Sequence, residues 1–296
     1  MGDYWEDKFS IWAQPPGQTE QQKCDNAVSV IRKAIDSSNT LKSHNISIFA
    51  QGSYRNRTNV KADSDVDICV CCKECFFYYL PEGLTPADVG IVVPAPYPYN
   101  TFKNDVENAL VSYLGRSAVK RGNKAFDIHE NTYRVAADVV ACFEYRSYRQ
   151  NHTYLEGTSF VTDSGQSIFN WPQQNYDNGV KKNDDTNRTF KAIVRILKCL
   201  RNEMAENVNY QNKMIPSFLI ECLVWNANNK DFRNSTFKED LRQTIIDVYN
   251  GTQSQDTCDE WGEINEIKYL FRSSQPWTRE QANSFLNAVW NYIGYK

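Results

Sequence analysis

The chain is poor in histidine, with three in 296 residues, and its charge is almost balanced: 33 basic side chains face 36 acidic ones, for a net of -3. Few imidazoles leave little from which to build a zinc cluster. A slightly acidic protein is a poor candidate for non-specific nucleic-acid binding, which runs on neutralising phosphates, although a local basic groove stays open. No apolar run approaches the roughly 20 residues of a membrane-spanning helix. The N-terminus, MGDYWEDKFSIW, lacks the basic and apolar regions of a secretory signal. Met1-Gly2 begins like an acylation site, but Asp7 follows where Ser or Thr should stand nearby. The nine cysteines have no disulfide-scaffold spacing, and their odd number without a signal peptide predicts reduced thiols in a cytoplasm. Internal repeats and low-complexity tracts are also missing.

What the chain does have is a core. Hydrophobic residues make up 41% and aromatics 13%, enough for one large domain or two lobes sharing a core. The rest is organised around one stretch, QGSYRNRTNVKADSDVDICV, residues 51–70. Gly52 has no Cβ and can lie close against a phosphate; Ser53 adds an N–H and a hydroxyl. Asp65 and Asp67 stand two apart, interleaved with Val66, Ile68 and Val70. On a strand this spacing puts both carboxylates on one face and the apolar side chains on the other. Two ionised carboxylates so placed repel each other, and a divalent cation relieves that, most readily magnesium. The stretch reads as a phosphate cradle followed by a metal clamp. The loop 54–62, with Arg55, Arg57 and Lys61, is either a solvated polar loop or a positive rim for phosphates.

Along the chain, residues 1–17 form an arm ending at Pro15-Pro16-Gly17. Thr19 and Gln22 suggest a capping box, and Cys24, Ala27, Val28, Ile31 and Ile35 predict a helix to about Ser37. Ile46, Ile48 and Ala50 predict a strand. Cys69, Cys71, Cys72 and Cys75 lie scattered over both faces of a strand, which favours buried reduced thiols over zinc. The proline-rich segment 81–100 reads as a loop, followed by a helix over 102–114. Residues 126–128 and 133–143 predict two strands. The second carries one carboxylate, Asp138, in an apolar run. Such a group is costly unless satisfied. Either it pairs with Arg134 or Arg146, or it is a third ligand of the clamp, which the upstream pair favours. A hairpin is expected over 157–172 and a polar connection over 173–187, with a lobe boundary there. Helices follow from Thr189, from Ser217, over 237–249, near 261–271 and over 278–292, the last with a Thr278/Gln281 capping box.

Gly-Ser, eleven intervening residues and Asp-x-Asp on a strand resemble the signature of the polymerase-β-like nucleotidyltransferases. The fuller block is similar to the bacterial cGAS/DncV-like nucleotidyltransferases (CD-NTases), closest to their clade E. The resemblance implies an α+β fold: a polymerase-β-like core with a mixed sheet, residues 1–180, including a spine helix. A helical lobe, 181–296, would complete it, with the active site in the cleft between the lobes. It implies a cyclic dinucleotide synthase that joins two NTPs, UTP above all and ATP as a candidate, with loss of pyrophosphate. Asp65, Asp67 and Asp138 would be catalytic and hold two magnesium ions, which manganese could replace. Gln51, Gly52, Ser53, Lys198 and Ser217 would meet the donor phosphates, and Phe218 would stack on its base. Asn170 is the candidate for pyrimidine choice. Gln275-Pro276-Trp277 fits an R/Q-x-W element of cyclic dipyrimidine synthases. The same resemblance implies a second messenger for anti-phage (CBASS) defence, read by a separately encoded effector, with neither membrane nor obligatory nucleic acid. The alternatives are a related transferase acting on RNA, an antibiotic or a protein, or an inactive nucleotide-binding module.

Overall fold

The computed structural model describes residues 3–60, 65–93, 97–208 and 215–296. By contacts the chain divides into two units: Gly17–Tyr54 with Ser64–Gln173, and Met1–Pro16 with Arg55–Asp63 and Gln174–Lys296.

The first unit is built on a seven-stranded mixed sheet. Its strands are β1 (Ile46–Ala50), β2 (Val66–Tyr79), β3 (Val119–Arg121), β4 (Phe126–Ile128), β5 (Ala137–Tyr148), β6 (Tyr154–Val161) and β7 (Ser167–Asn170). The order is β1-β2-β5-β4-β3, with β6 on the later part of β5 and β7 on β6. β2 and β5 run parallel and form the centre; β1 lies antiparallel to β2, and β4 to β5. Helices α2 (Gln18–Asp36) and α4 (Tyr99–Leu114) bury Cys24, Ala27, Ile31, Phe102, Val106 and neighbours. Tyr99 donates to the Ala141 carbonyl at 2.9 Å, and the Phe102 and Phe143 rings lie 5.4 Å apart. α4 therefore covers the face of β5 that carries Val139, Ala141 and Phe143. Alternation sends Asp138, Val140 and Cys142 to the other face.

Helices dominate the second unit. It holds α1 (Tyr4–Trp12), α5 (Pro172–Asp185, from Gln174 on), α6 (Thr189–Asn207), α7 (Ser217–Asn226), α8 (Phe237–Gly251), α9 (Gln255–Cys258) and α10 (Arg279–Ile293). α6 is its axis, buried along Phe190, Ile193, Val194, Leu197 and Leu200, the run that the helical spacing predicts. A capping box between Thr278 and Gln281 opens α10, as expected.

Several expectations are corrected. Residues 173–187 are helical over most of their length, as α5, because polar side chains serve as internal partners there. Lys182 is buried and donates to the Ala227 carbonyl, and Asn178 donates to the Ile264 carbonyl. Helix α2 starts at Gln18 behind Gly17 without a side-chain cap, so Thr19 is already inside it. The segment 54–62 begins in a short helix, α3 (Gly52–Asn56). The helix expected near 261–271 is instead irregular chain with one bridge, Gly262 to Tyr269. The second of the two central strands starts later and runs further than 133–143. Finally, Cys69 and Cys142 form a disulfide between β2 and β5, Cα atoms 6.7 Å apart, and the other seven cysteines form no disulfide. The register pairs Cys71 with Cys142 and Cys69 with Val140, so Cys69 and Cys142 are diagonal neighbours on one face. Spacing along the chain cannot reveal that.

Candidate active site

β1 and β2 meet where the polar stretch begins. The N–H of Gln51 donates to the Asp67 carbonyl at 2.9 Å. Gly52 follows with φ +64°, and a Cβ there would stand 2.1 Å from the Asp67 carboxylate. Only glycine fits, on two independent grounds: the left-handed backbone and the carboxylate lying against its Cα. The Gly-Ser turn and Asp67 are thus packed directly against each other. Ser53 follows as the second residue of α3. Arg55 lies over the Tyr176 ring at 4.8 Å, Arg57 is exposed, and Lys61 falls outside the described residues.

The parallel register sets Asp67 directly beside Asp138. The antiparallel register on the other side sets Asp138 directly beside Asp127. Cross-strand partners share a face, so three carboxylates from three adjacent strands stand in a row, with Asp65 just ahead of β2. Asp127 was not singled out from sequence; its signal was the alternation Phe126-Asp127-Ile128, whose importance depends on register. Asp138 is half-buried. Its carboxyl is held above the ordinary range, first by burial, then by the charges of Asp127 and Asp65. The alternative partners are taken: Arg134 donates to the His129 carbonyl, and Arg146 donates to Glu144 at 2.7 Å.

An all-oxygen, all-anionic donor set suits a hard divalent cation, and magnesium is usually held by one or two carboxylates plus substrate phosphates. The side chains fit that role rather than a finished cage: among the described residues no three His, Cys, Asp or Glu side chains converge closely enough to hold a metal by themselves.

On the same unit, Asn170 ends β7 opposite Thr158 of β6. Gly157 makes that approach possible, because a Cβ there would stand 2.6 Å from the Asn170 carbonyl and 3.1 Å from the Trp171 ring. The Asn170 side chain is partly exposed and has no hydrogen-bond partner among the described residues.

The remaining candidates belong to the helical unit. Lys198 is wholly buried; its ammonium donates to Glu221 at 2.7 Å and to the Thr58 carbonyl at 3.0 Å. The Thr58 hydroxyl donates to the same Glu221 oxygen. This closed cluster holds the segment around Thr58 onto α6 and α7, and does not present the lysine to a ligand. Three residues on, Arg201 donates to the Ser217 hydroxyl at 3.0 Å. Arg201 was not singled out from sequence; the signal available was its helical spacing from Lys198. Ser217 and Phe218 open α7 and are partly exposed. The Phe218 ring lies 6.2 Å from that of Trp277. Trp277 is buried and donates to the Leu270 carbonyl, and Gln275 donates to Glu263 and to the Tyr269 carbonyl. Both residues of the R/Q-x-W element are therefore held by hydrogen bonds within the protein, Gln275 partly exposed and Trp277 buried behind Phe218.

Residues 177–294 match the cGAS/DncV-like nucleotidyltransferase C-terminal helical domain. A cyclic dipyrimidine nucleotide synthase, CdnE, of Cecembia lonarensis is 42% identical, with all of both chains covered. One of the same name from Legionella pneumophila is 45% identical over 98% of each chain. The solved structure of the Rhodothermus marinus CdnE c-UMP-AMP synthase with Apcpp and Upnpp superposes with a TM-score of 0.85 at 31% identity, covering 98% of this chain and 97% of that one. Full-length identity at this level, together with a Gly-Ser turn seated against paired aspartates, shows that the chain belongs to the cGAS/DncV-like nucleotidyltransferases.

Proposed function

We propose that the protein joins two nucleoside triphosphates into a pyrimidine-containing cyclic dinucleotide, cyclic di-UMP or cyclic UMP-AMP, releasing pyrophosphate at each bond formed. The observation that carries this reading is the pairing of Asp67 with Asp138 in register, with Gly52 pressed against Asp67. Asp65, Asp67 and Asp138 would hold two magnesium ions, with manganese able to substitute. When bound, these supply positive charge to the triphosphate and make a sugar hydroxyl easier to deprotonate.

In this proposal the chain's own residues do the rest. Asp138, its carboxyl lifted by burial and by neighbouring carboxylates, accepts the proton of the attacking hydroxyl. Gly52 and Ser53 receive phosphate oxygens by backbone approach and by hydroxyl, and Gln51, its N–H held by the Asp67 carbonyl, offers its side-chain amide. Ser217, oriented by Arg201, offers a further hydroxyl, and Phe218, backed by Trp277, stacks on the donor base. Arg201 takes the cationic role first given to Lys198, which its buried ion pair leaves as a scaffold. Asn170 offers an amide able both to donate to and to accept from a pyrimidine edge. The product would act as a cytoplasmic second messenger in anti-phage defence, read by a separately encoded effector. No helix among the described residues is long and apolar enough to cross a membrane.

The test is direct. The purified protein is incubated with magnesium and all four NTPs, labelled one at a time, then treated with phosphatase, and the products are weighed. A phosphatase-resistant dinucleotide without free ends, labelled from UTP, is expected. Purine-only product would overturn the pyrimidine assignment. Label transferred to an RNA, small-molecule or protein acceptor instead would replace the synthase reading.

A further inference from the structure

A cavity of about 570 Å³ lies in the helical unit, lined where α1 ends, where α5 passes into α6, and by Arg57. Its lining shares no residue with the nucleotide contacts proposed above. Four cations line it: Arg57, Arg188, Lys191 and Arg195, against one carboxylate, Asp184. None of the four has an ion pair among the described residues. Lys191 is 9% exposed. Its ammonium has no hydrogen-bond acceptor among the described residues, only the Tyr176 ring 5.9 Å away. Arg195, 6% exposed, donates to the carbonyls of Ala13 and Arg57. Those carbonyls satisfy part of the guanidinium fork and leave its charge unneutralised.

Buried cations without an ion pair are costly, and here they also repel one another. Burial holds the Lys191 ammonium below its usual 10.5, opposed by Glu221, with Arg195 and Arg57 adding to the depression. Burial, then Arg57, pushes the Arg195 guanidinium down to about 10. An anion in the cavity would relieve both effects. The volume is that of a small-molecule site, for which about 300–1,000 Å³ is usual. Guanidinium forks and an ammonium in one cavity match the several oxygens of a phosphate chain.

We propose that this cavity is a second anion site, taking a small di- or triphosphate, inorganic or carried by a nucleotide. It is distinct in its residues from the carboxylate-dependent nucleotide site and requires no metal.

Isothermal titration of the full chain in excess EDTA tests this, with inorganic pyrophosphate, UTP and ATP as separate probes. EDTA removes the metal through which the carboxylates would recruit phosphates. Binding of at least one probe at one per chain is expected. A tighter fit to pyrophosphate identifies an inorganic ligand, and a tighter fit to UTP or ATP identifies a nucleotide. Arg188→Gln, at an exposed position, should weaken the binding about threefold and Arg188→Gln with Lys191→Gln at least tenfold, about 1.4 kcal/mol. Lys191→Arg should keep it, and Asp65→Asn with Asp67→Asn should leave it unchanged. The single Arg188 variant and Lys191→Arg decide the matter should the double variant not fold. The proposal is overturned by no binding in EDTA or by equal binding in the Arg188 variants. It is equally overturned if the aspartate variant loses binding, or if an RNA duplex binds while the small probes do not.

Discussion

Asp138 and Lys198 face the same physical problem, a charge taken out of water, and the two units resolve it in opposite ways. In the helical unit Lys198 is sealed with Glu221 and a carbonyl, with charge and hydrogen bonds closed inside the protein. In the sheet unit Asp138 stands in register beside Asp127 and Asp67, and its carboxyl is lifted first by burial and then by the charges of Asp127 and Asp65. The first arrangement spends its interactions on stability. In the proposed reaction the second is completed by a divalent cation bound with the nucleotide, and that would separate a scaffold charge from a functional one. Breaking a closed pair exposes an uncompensated charge, whereas removing one of several like charges relieves repulsion.

The largest expected effect follows on the functional side. Asp67→Asn or Asp138→Asn should cut product formation at least about a thousandfold, the scale on which lost transition-state electrostatics is felt. Thermal unfolding in EDTA should show Asp138→Asn as stable as the parent or more so. A Tm that falls instead would make Asp138 a structural group and erase the contrast. Lys198→Met should do the reverse, costing about 3–5 kcal/mol of stability by leaving Glu221 buried alone. The surviving folded fraction should still turn over. Denaturant melts alongside activity per folded molecule would measure this, and a loss of turnover without a loss of stability would return Lys198 to the phosphates.

Gly157→Ala should come next. Its Cβ would meet the Asn170 carbonyl and the Trp171 ring, an overpacking worth about 1–3 kcal/mol, and the ratio of pyrimidine to purine in the product should move with it. Asn170→Ala should shift that ratio by about tenfold, one hydrogen bond's worth, with unchanged Tm. Competition between UTP and ATP reads both variants; an unmoved ratio in the Asn170 variant would leave it a turn residue.

The smallest effect sharpens the comparison within the helical unit. Asp231 there is also a raised carboxyl, at about 6, through burial and then Asp247. A raised carboxyl contributes stability that is full below 3.8 and lost as pH rises through about 6. Asp231→Asn should therefore raise Tm above pH 6 and give no gain below pH 4. Magnesium with a nucleotide should leave that increment untouched, because this pair is a packing compromise. Magnesium and nucleotide should stabilise the parent and fail to stabilise Asp138→Asn.

Much of this could be read along the chain because the relevant physics is local. Alternation placed Asp65 and Asp67 together, and a lone carboxylate in the apolar run of β5 marked Asp138. Thr278 and Gln281 announced the start of α10, and the spacing from Phe190 to Leu200 announced α6. Local pattern failed where a residue's meaning lay in a distant partner. α5 was hidden because its polar side chains look solvated until Ala227 and Ile264 supply their acceptors. Arg188, Lys191 and Arg195 share one face at the start of α6 by helical spacing, but nothing in the sequence brings the distant Arg57 to the same cavity.

By itself the sequence determined the chemistry on offer: a glycine that tolerates close approach, two carboxylates at strand spacing, a third in an apolar strand, and helices after residue 189. Side-chain type and the periods of helix and strand are properties of neighbouring residues, so they survive without a fold. Tertiary structure alone decided which charges are paired and which remain to act. The register of β2, β5 and β4 put Asp127 beside Asp138 and Cys69 near Cys142. Packing of α6 against α7 sealed Lys198 with Glu221 and gave Ser217 to Arg201. Whether a charge is spent or available depends on its surroundings in three dimensions, because burial and Coulomb interactions act through space and not along the chain.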